Sequence, residues 1–211
     1  LALQIRAMRA RASFSRAVWD LVGKRPISAS RLVNASSSYV TNAVTDAQAV
    51  VAGATATYTF RFTYTATIGR PGPGAWINQR QEMRVGQAYA NPDGAVKWGT
   101  TSIRDPIDVT KAPAVVDAVQ AEWGTGFPPH TMLSAREMHL INAEARLAAG
   151  DVSGFATAIN ALRALDGLTA WNSVTPQVPA EDLLLFSRRT NLFLQGRRLS
   201  DHYRFRSPPI E

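Results

Sequence analysis

The beginning of the chain repeats its small and hydrophobic side chains with the period of a helix. They recur at steps of three and four over 3–21, and Gly23 and Pro26 follow as helix terminators. The same period returns over 39–51, after serines that are suited to cap a helix. We therefore predict that 1–53 forms a pair of helices.

The hydrophobic period changes to two over 55–67. Aromatic residues fall on one face of this segment, at Tyr58, Phe60, Phe62 and Tyr64. Such alternation predicts a short β-strand. A Gly- and Pro-rich loop at 69–74 follows, and 75–129 has no regular pattern. We therefore predict that 54–133, here named the excursion, is a strand followed by a long irregular loop.

Helical periodicity returns at Ser134, where Ser134 and Glu137 have the spacing of a capping box. The helix that follows carries two apolar stripes, one at Met138, Ile141, Ala145 and Ala148 and the other at Leu140 and Leu147. A helix that is apolar on two sides is expected to lie between two neighbours. Gly150 marks its end.

A second helix begins after Gly150-Asp151 and places its apolar residues inward, at Phe155, Ala158, Ile159, Leu162 and Leu165. Two antiparallel helices with small residues at their contact are typical of a tetratricopeptide-like hairpin, although the repeat consensus is absent. A further helix is predicted from Pro179, carrying Leu184, Leu185, Leu192 and Phe193.

The predicted fold class is mainly α, with tetratricopeptide-like hairpins of an α–α superhelix, a short β element and the long irregular excursion. We expect 1–211 to be one domain or a fragment of one, in which 134–211 is the C-terminal helical region. The composition agrees with a globular protein, since 45% of the residues are hydrophobic and 18% are charged.

The chain has no cysteine, which excludes disulfides, thiol catalysis and cysteine-ligated metals. The net charge is +7, and nearly all of the basic residues are arginines. This charge would suit nucleic acid or an anionic surface. We favour a solvated arginine-rich surface, because the arginines are spaced along helices rather than grouped with stacking aromatic residues. No nucleic-acid partner is therefore predicted.

Enzyme signatures are missing, which predicts no catalytic residue, no cofactor and no metal site. There is no G-x-S-x-G or H-E-x-x-H motif, and the three histidines lie far apart. Glu137 and Glu144 share a helix face and would suit acid–base chemistry. We favour a structural role, in which Glu137 caps the helix and Glu144 pairs with an arginine such as Arg163 or Arg189.

Two arginine pairs, Arg188-Arg189 and Arg197-Arg198, leave two readings open. They would form an anion or partner site, or they would brace the preceding hairpin by binding its carboxylates and carbonyls. Aromatic residues of the excursion are candidates for stacking on sugar rings, with polar neighbours to bind hydroxyls. The candidate ligand residues are Trp76, Asn78, Tyr89, Trp98 and Trp123. The alternative is that the tryptophans pin the excursion to the helical core.

The stretches EMHLINAEARL (137–147), AINALR (158–163) and RRTNLFLQGRRLSDHYR (188–204) closely resemble the C-terminal half of the SusD/RagB family. The structural residues of the shared motif are Glu137, Glu144, Asn160, Arg163, Arg189, Gly196, Arg198 and Asp201. Ser187, Asn191 and Gln195 stand where the family carries glutamate, which puts its usual internal salt bridges in doubt. The short chain and unusual ends predict a fragment or processed product.

The resemblance implies a non-enzymatic, surface-exposed outer-membrane lipoprotein whose lipid anchor lies outside this chain. Such proteins capture a glycan or a peptide and deliver it to a SusC-like TonB-dependent transporter. Their ligand residues vary, so none is carried over by motif. The alternatives are a tetratricopeptide-like scaffold for protein partners and, less favoured, a basic helical binder of nucleic acid.

Overall fold

A computed structural model describes residues 1–23, 31–65, 67, 74, 89 and 101–205. Within these ranges the fold is mainly α, as predicted, with a small antiparallel sheet. The helices are α1 (Ala2–Gly23), α2 (Ser38–Gly53), α3 (Ala114–Trp123), α4 (Ala135–Ala148), α5 (Val152–Ala164), α6 (Ala180–Asn191) and α7 (Arg198–Phe205). The strands are β1 (Thr59–Phe62) and β2 (His130–Ser134).

Helices α1 and α2 form an antiparallel hairpin, which confirms the predicted helix pair. Arg9 on α1 donates to Asp46 on α2, with 2.9 Å between Nε and Oδ2, and the Arg16 guanidinium lies over the Tyr39 ring. The two helices bury mainly alanine and valine against each other, at Ala7, Ala10, Ala17, Val18, Val40, Ala43, Ala47 and Val50. Small side chains at these positions allow the helix axes to approach closely.

Helix α4 is the centre of the molecule and is buried on two sides, as its two apolar stripes predict. Met138, Ile141 and Ala145 join the hydrophobic cluster of α1 and α2. Leu140 and Ala143 join a second cluster formed with α5, α6 and α7. Ser134 caps the helix by accepting from the Glu137 amide at 3.2 Å. The polar groups on α4 therefore have to be satisfied within the protein.

Helix α5 turns back along α4 to make a second antiparallel hairpin. Gly150, at the turn, has a φ of 75°, a conformation that glycine adopts without strain. Arg136 near the start of α4 binds Asp166 just beyond the end of α5, with 2.9 Å between Nη2 and Oδ1. The predicted inward residues Phe155, Ile159 and Leu162 are buried.

The predicted strand over 55–67 is shorter than expected. Only Thr59–Phe62 is a strand, and it pairs with β2, which the sequence pattern did not indicate. The register shifts between Phe60 and Arg61, and beyond this irregularity Phe62 is exposed. The extra residue of this irregularity is Met132 in β2, and the rings of Phe60 and Phe62 remain in edge contact with centroids 5.8 Å apart, as expected for side chains on one face.

The excursion is not irregular throughout, which corrects the prediction for 75–129. Helix α3 lies within it and buries Val116, Gln120 and Trp123. Asp117 near the start of α3 accepts the Thr101 amide at 2.6 Å, which ties the preceding segment to the helix. The excursion therefore includes a regular helix and ends in β2.

The helix predicted from Pro179 is two helices. Pro179 is the N-cap of α6, as expected, but Leu192 is already the C-cap and Phe193 lies in a turn before α7. Leu194 and Gly196 have φ values of 59° and 74°, which an α-helix cannot contain. The chain reverses at this turn, so that α6 runs antiparallel and α7 parallel to α4.

The second apolar side of α4 can be tested at Leu140, which is fully buried. We expect Leu140→Ala to lower the free energy of unfolding by about 2–5 kcal/mol, because it leaves a cavity between α4 and its neighbours. Chemical denaturation measures the loss. Leu199→Ala is the matched control, since Leu199 is exposed, and its effect should be much smaller. Equal losses would show that α4 is not packed on this side.

Candidate functional site

Glu144 lies on the central helix with no exposure to solvent, and its carboxylate binds two arginines. Arg188 from α6 donates through Nη1 to Oε2 at 3.3 Å. Arg204 from α7 donates through Nη1 to Oε1 and through Nη2 to Oε2. The prediction that Glu144 pairs with an arginine was correct, but its partners are Arg188 and Arg204 rather than Arg163 or Arg189.

Asp201 completes a buried quartet of charges with Glu144, Arg188 and Arg204. Arg188 Nε lies 2.9 Å and 3.0 Å from the two Asp201 carboxylate oxygens, and Arg204 Nη2 lies 2.9 Å from Oδ1. Burial alone would lower the pKa of Arg204, but the Glu144 and Asp201 carboxylates hold this pKa above its ordinary value. The quartet has two charges of each sign and is neutral.

A second cluster surrounds Glu137, seven residues before Glu144 on the same helix face. Arg11 from α1 places Nε 2.9 Å and 3.0 Å from the two Glu137 carboxylate oxygens, and Arg197 places Nε 3.3 Å from Oε1. In a complete capping box the Glu137 carboxylate would accept from the Ser134 amide. In this structure the carboxylate binds two arginines. Arg188 and Arg197 brace α4, which is the structural alternative left open for the arginine pairs.

A cavity of about 110 Å³ opens beside this second cluster, between α1 and α7. Its charged lining residues are Arg11, Glu137, Arg197 and Arg188 of the quartet, and Ser15, Trp19 and Ser200 also line it. Burial lowers the pKa of Arg197, and Glu137 opposes that effect. Within the described residues, two arginines share one carboxylate here, so the wall has a net positive charge.

The same positive charge affects the pKa of His130, at the start of β2. Burial lowers its pKa, and so do the charges of Arg11 and Arg197. The ring of Trp123 makes an edge contact with His130, with centroids 6.2 Å apart. The surroundings of His130 therefore disfavour its protonated form.

The motif residues Arg163 and Asn160 hold loops onto α5. Arg163 makes two parallel hydrogen bonds of 2.8 Å to the buried Asp105 carboxylate and donates from Nε to the Thr169 carbonyl. Asn160 accepts from the Trp171 amide at 2.8 Å and donates to the Trp171 carbonyl at 2.9 Å. These contacts assign the two residues a positioning role.

Tyr89 is the candidate ligand residue that the structure brings to the motif helices. Its ring stacks on Phe193 with centroids 4.3 Å apart, and the Arg189 guanidinium lies over it at 5.0 Å. Arg189 also donates from Nε to the Tyr89 hydroxyl at 3.2 Å. Arg198 is exposed at the start of α7.

Of the three candidate tryptophans, only Trp123 lies in the described residues. Trp123 is only 5% exposed and offers no free stacking face, which agrees with the alternative in which it pins the excursion. Trp76, Asn78 and Trp98 lie outside the described residues.

The three positions without glutamate retain polar contacts. Asn191 accepts from Arg136 Nη1 at 2.7 Å, so an amide oxygen takes the place of a carboxylate. Gln195 donates to the Asn191 carbonyl at 3.0 Å. Ser187 is buried on α6, and its carbonyl accepts from the Asn191 side-chain amide. Internal salt bridges are nevertheless present in this chain, where Glu144 and Asp201 bind Arg188 and Arg204.

Sequence reasoning missed Arg11, Trp19, Asp105 and Arg204. Trp19 had a signal, because it lies opposite the buried stripe of α1 and is 48% exposed. Arg204 also had a signal, because it is the last residue of the 188–204 stretch that carries the resemblance. Arg11 and Asp105 depend on contacts between distant segments, which periodicity cannot provide. Within the described ranges no group of three His, Asp or Glu side chains could hold a metal ion. No described helix is long and apolar enough to cross a membrane.

Comparison with known proteins adds no relative: no protein-family model, no curated protein and no solved structure matches the chain.

The buried quartet can be tested at Glu144. We expect Glu144→Gln to lower the free energy of unfolding by about 3–5 kcal/mol, because two buried arginines lose their shared counter-charge. Chemical denaturation measures the change, and Glu181→Gln is the matched control, since Glu181 is exposed at the start of α6. A loss at Glu144 no larger than that at Glu181 would contradict the structural role of the quartet.

The low pKa of His130 predicts a pH dependence. The unfolded chain, with the ordinary histidine pKa of about 6.5, binds a proton more readily than the folded chain. Stability is therefore lost as the pH falls below this value. We expect Arg197→Gln to raise the His130 pKa, measured by an NMR titration. His139 is the internal control, because burial and Arg136 lower its pKa, and it should not respond to Arg197→Gln.

Proposed function

We propose that this chain captures a nutrient, either a glycan or a peptide, at the cell surface and delivers it to a TonB-dependent outer-membrane transporter, as SusD/RagB proteins do. The observation that carries this proposal is the convergence of the motif residues. Glu144 and Asp201 lie more than fifty positions apart in sequence, yet they share Arg188 and Arg204. This convergence supports the view that the motif residues form one structural unit. It also argues against a chance match between this sequence and the family pattern.

A binding role is favoured over catalysis by the state of the acidic groups. Glu137 and Glu144 would be the acid–base pair of an enzyme, but both carboxylates are engaged by arginines. The carboxylate oxygens already accept hydrogen bonds from guanidinium groups, so they are occupied by the protein rather than presented to a substrate. This arrangement supports a framework role for both residues.

The helical hairpins support a surface that meets a protein partner. α1–α2 and α4–α5 lie side by side through α2 and α4, and both hairpins are antiparallel. Stacked antiparallel hairpins of this kind are the unit of tetratricopeptide-like superhelices, which bind partners along extended surfaces. In this proposal the hairpins contact the transporter and the excursion contributes to the ligand site.

The second candidate function is a tetratricopeptide-like scaffold for soluble protein partners. It is favoured by one observation, an exposed apolar stripe on α1. Leu1, Ile5, Met8 and Trp19 are each at least 47% exposed, and their spacing places them on one helix face. Such a stripe is typical of a helix surface that docks on another protein.

Affinity purification of the tagged full-length protein from native outer membranes separates the two candidates. Nutrient capture predicts a TonB-dependent transporter as the main co-purified protein, together with retardation of the protein in gels that contain its glycan. Trp76→Ala and Trp98→Ala should weaken that retardation, whereas Trp123→Phe, which keeps a buried ring, should not. Recovery of soluble proteins without a transporter, and loss of that recovery on Met8→Glu, would favour the scaffold instead.

A further inference from the structure

We propose that the cavity between α1 and α7 binds the carboxylate of an acidic sugar, of the uronic-acid type. The cavity is lined by Arg11, Ser15, Trp19, Arg197 and Ser200, and by Glu137, which binds the two arginines. This inference rests on the proposed function for the carbohydrate nature of the ligand. The anion site itself rests on the charges and geometry of the arginines.

The first argument is the charge balance at the two glutamates of α4. Glu144 is matched by Asp201, so that Arg188 and Arg204 are neutralised within the quartet. Glu137 has no such second carboxylate among the described residues, and it serves both Arg11 and Arg197. Among the residues that the structure describes, one positive charge at the cavity wall therefore has no counter-charge.

The second argument is the state of Arg197. Its side chain is 25% exposed, and only Nε donates to Glu137, at 3.3 Å. Within the described part of the chain, neither Nη1 nor Nη2 of Arg197 makes a hydrogen bond. The paired donors of a guanidinium match the two oxygens of a carboxylate, so this side chain is prepared for a bidentate contact with an anion.

The remaining lining explains why the anion should be carried by a sugar. Trp19 is 48% exposed at the cavity edge and offers an aromatic face of the kind that stacks on sugar rings. Ser15 supplies a hydroxyl group, and the Ser200 hydroxyl, which donates to the Arg197 carbonyl at 3.0 Å, retains its capacity to accept from a sugar hydroxyl. The cavity volume of about 110 Å³ is several times the volume that a single water needs, so the cavity admits a carboxylate group.

The test compares trigalacturonate with its neutral analogue trigalactose, using calorimetry on the folded protein. We expect trigalacturonate to bind and Arg197→Gln to weaken its binding by at least about tenfold, because the charge-assisted bidentate contact is lost. Arg198→Gln is the matched control, because it removes the same charge from the adjacent exposed residue, and it should change the affinity less than about twofold. Trp19→Ala should weaken trigalacturonate but not acetate.

The pKa of His130 can show where the ligand binds without any substitution in the protein. A carboxylate bound between Arg11 and Arg197 would offset the charges that lower the His130 pKa. Saturation with trigalacturonate should therefore raise the His130 pKa in an NMR titration. The His139 pKa, which Arg136 lowers, should stay unchanged.

Three results would overturn the inference: equal affinity for trigalactose, equal weakening by Arg197→Gln and Arg198→Gln, or an unchanged His130 pKa at saturation. Acetate binding as tightly as trigalacturonate would overturn the sugar assignment. These failures are distinct from failure of the proposed function. A transporter that co-purifies with a protein unable to bind trigalacturonate would leave nutrient capture standing, whereas trigalacturonate binding without a transporter would leave the acidic-sugar site standing.

Discussion

The carboxylate of Glu144 is the constraint on which the C-terminal half of the fold depends. It sits on the central helix with no exposure, where an unpaired charge would cost several kcal/mol. Arg188 and Arg204 must both reach it, yet on one unbroken helix their Cα atoms would be about 24 Å apart. The chain therefore has to reverse between them, and the left-handed residues Leu194 and Gly196 make that reversal. The break between α6 and α7 is thus a consequence of satisfying one buried acid.

The arginine content of the chain has two physical roles. Arg163, Arg188 and Arg204 are buried and are matched by Asp105, Glu144 and Asp201, so they add nothing to the external field. This corrects the view of the arginines as a solvated surface, which holds for residues such as Arg9, Arg16 and Arg198. The net charge of +7 is consequently carried mainly by the arginines that are not part of these buried ion pairs. The unmatched charge at Arg11 and Arg197 belongs to this remainder.

What could be predicted from the sequence followed from local periodicity. The helices at 3–21, 39–51 and 134–148 were found because each buries a stripe that is visible within one segment. Strand β2 was missed because it is short, does not alternate, and exists through its pairing with β1. The arginine partners of Glu144 were named wrongly for a similar reason. Every arginine near the motif has the right chemistry, and only the packing of α6 and α7 on α4 selects Arg188 and Arg204.

Glu137 and Glu144 show how one helix face can separate stability from binding. They are seven residues apart, which is about 10 Å along the helix. At Glu144, the second acid Asp201 closes the charge balance, and the side chains of the quartet are almost fully buried. At Glu137, no second acid among the described residues plays that part, and Arg197 stays partly exposed beside a cavity. A partly desolvated cation gains most from a new anionic partner. Ligand recognition is therefore favoured at the Glu137 cluster, whereas the charge-balanced Glu144 quartet stabilises the fold.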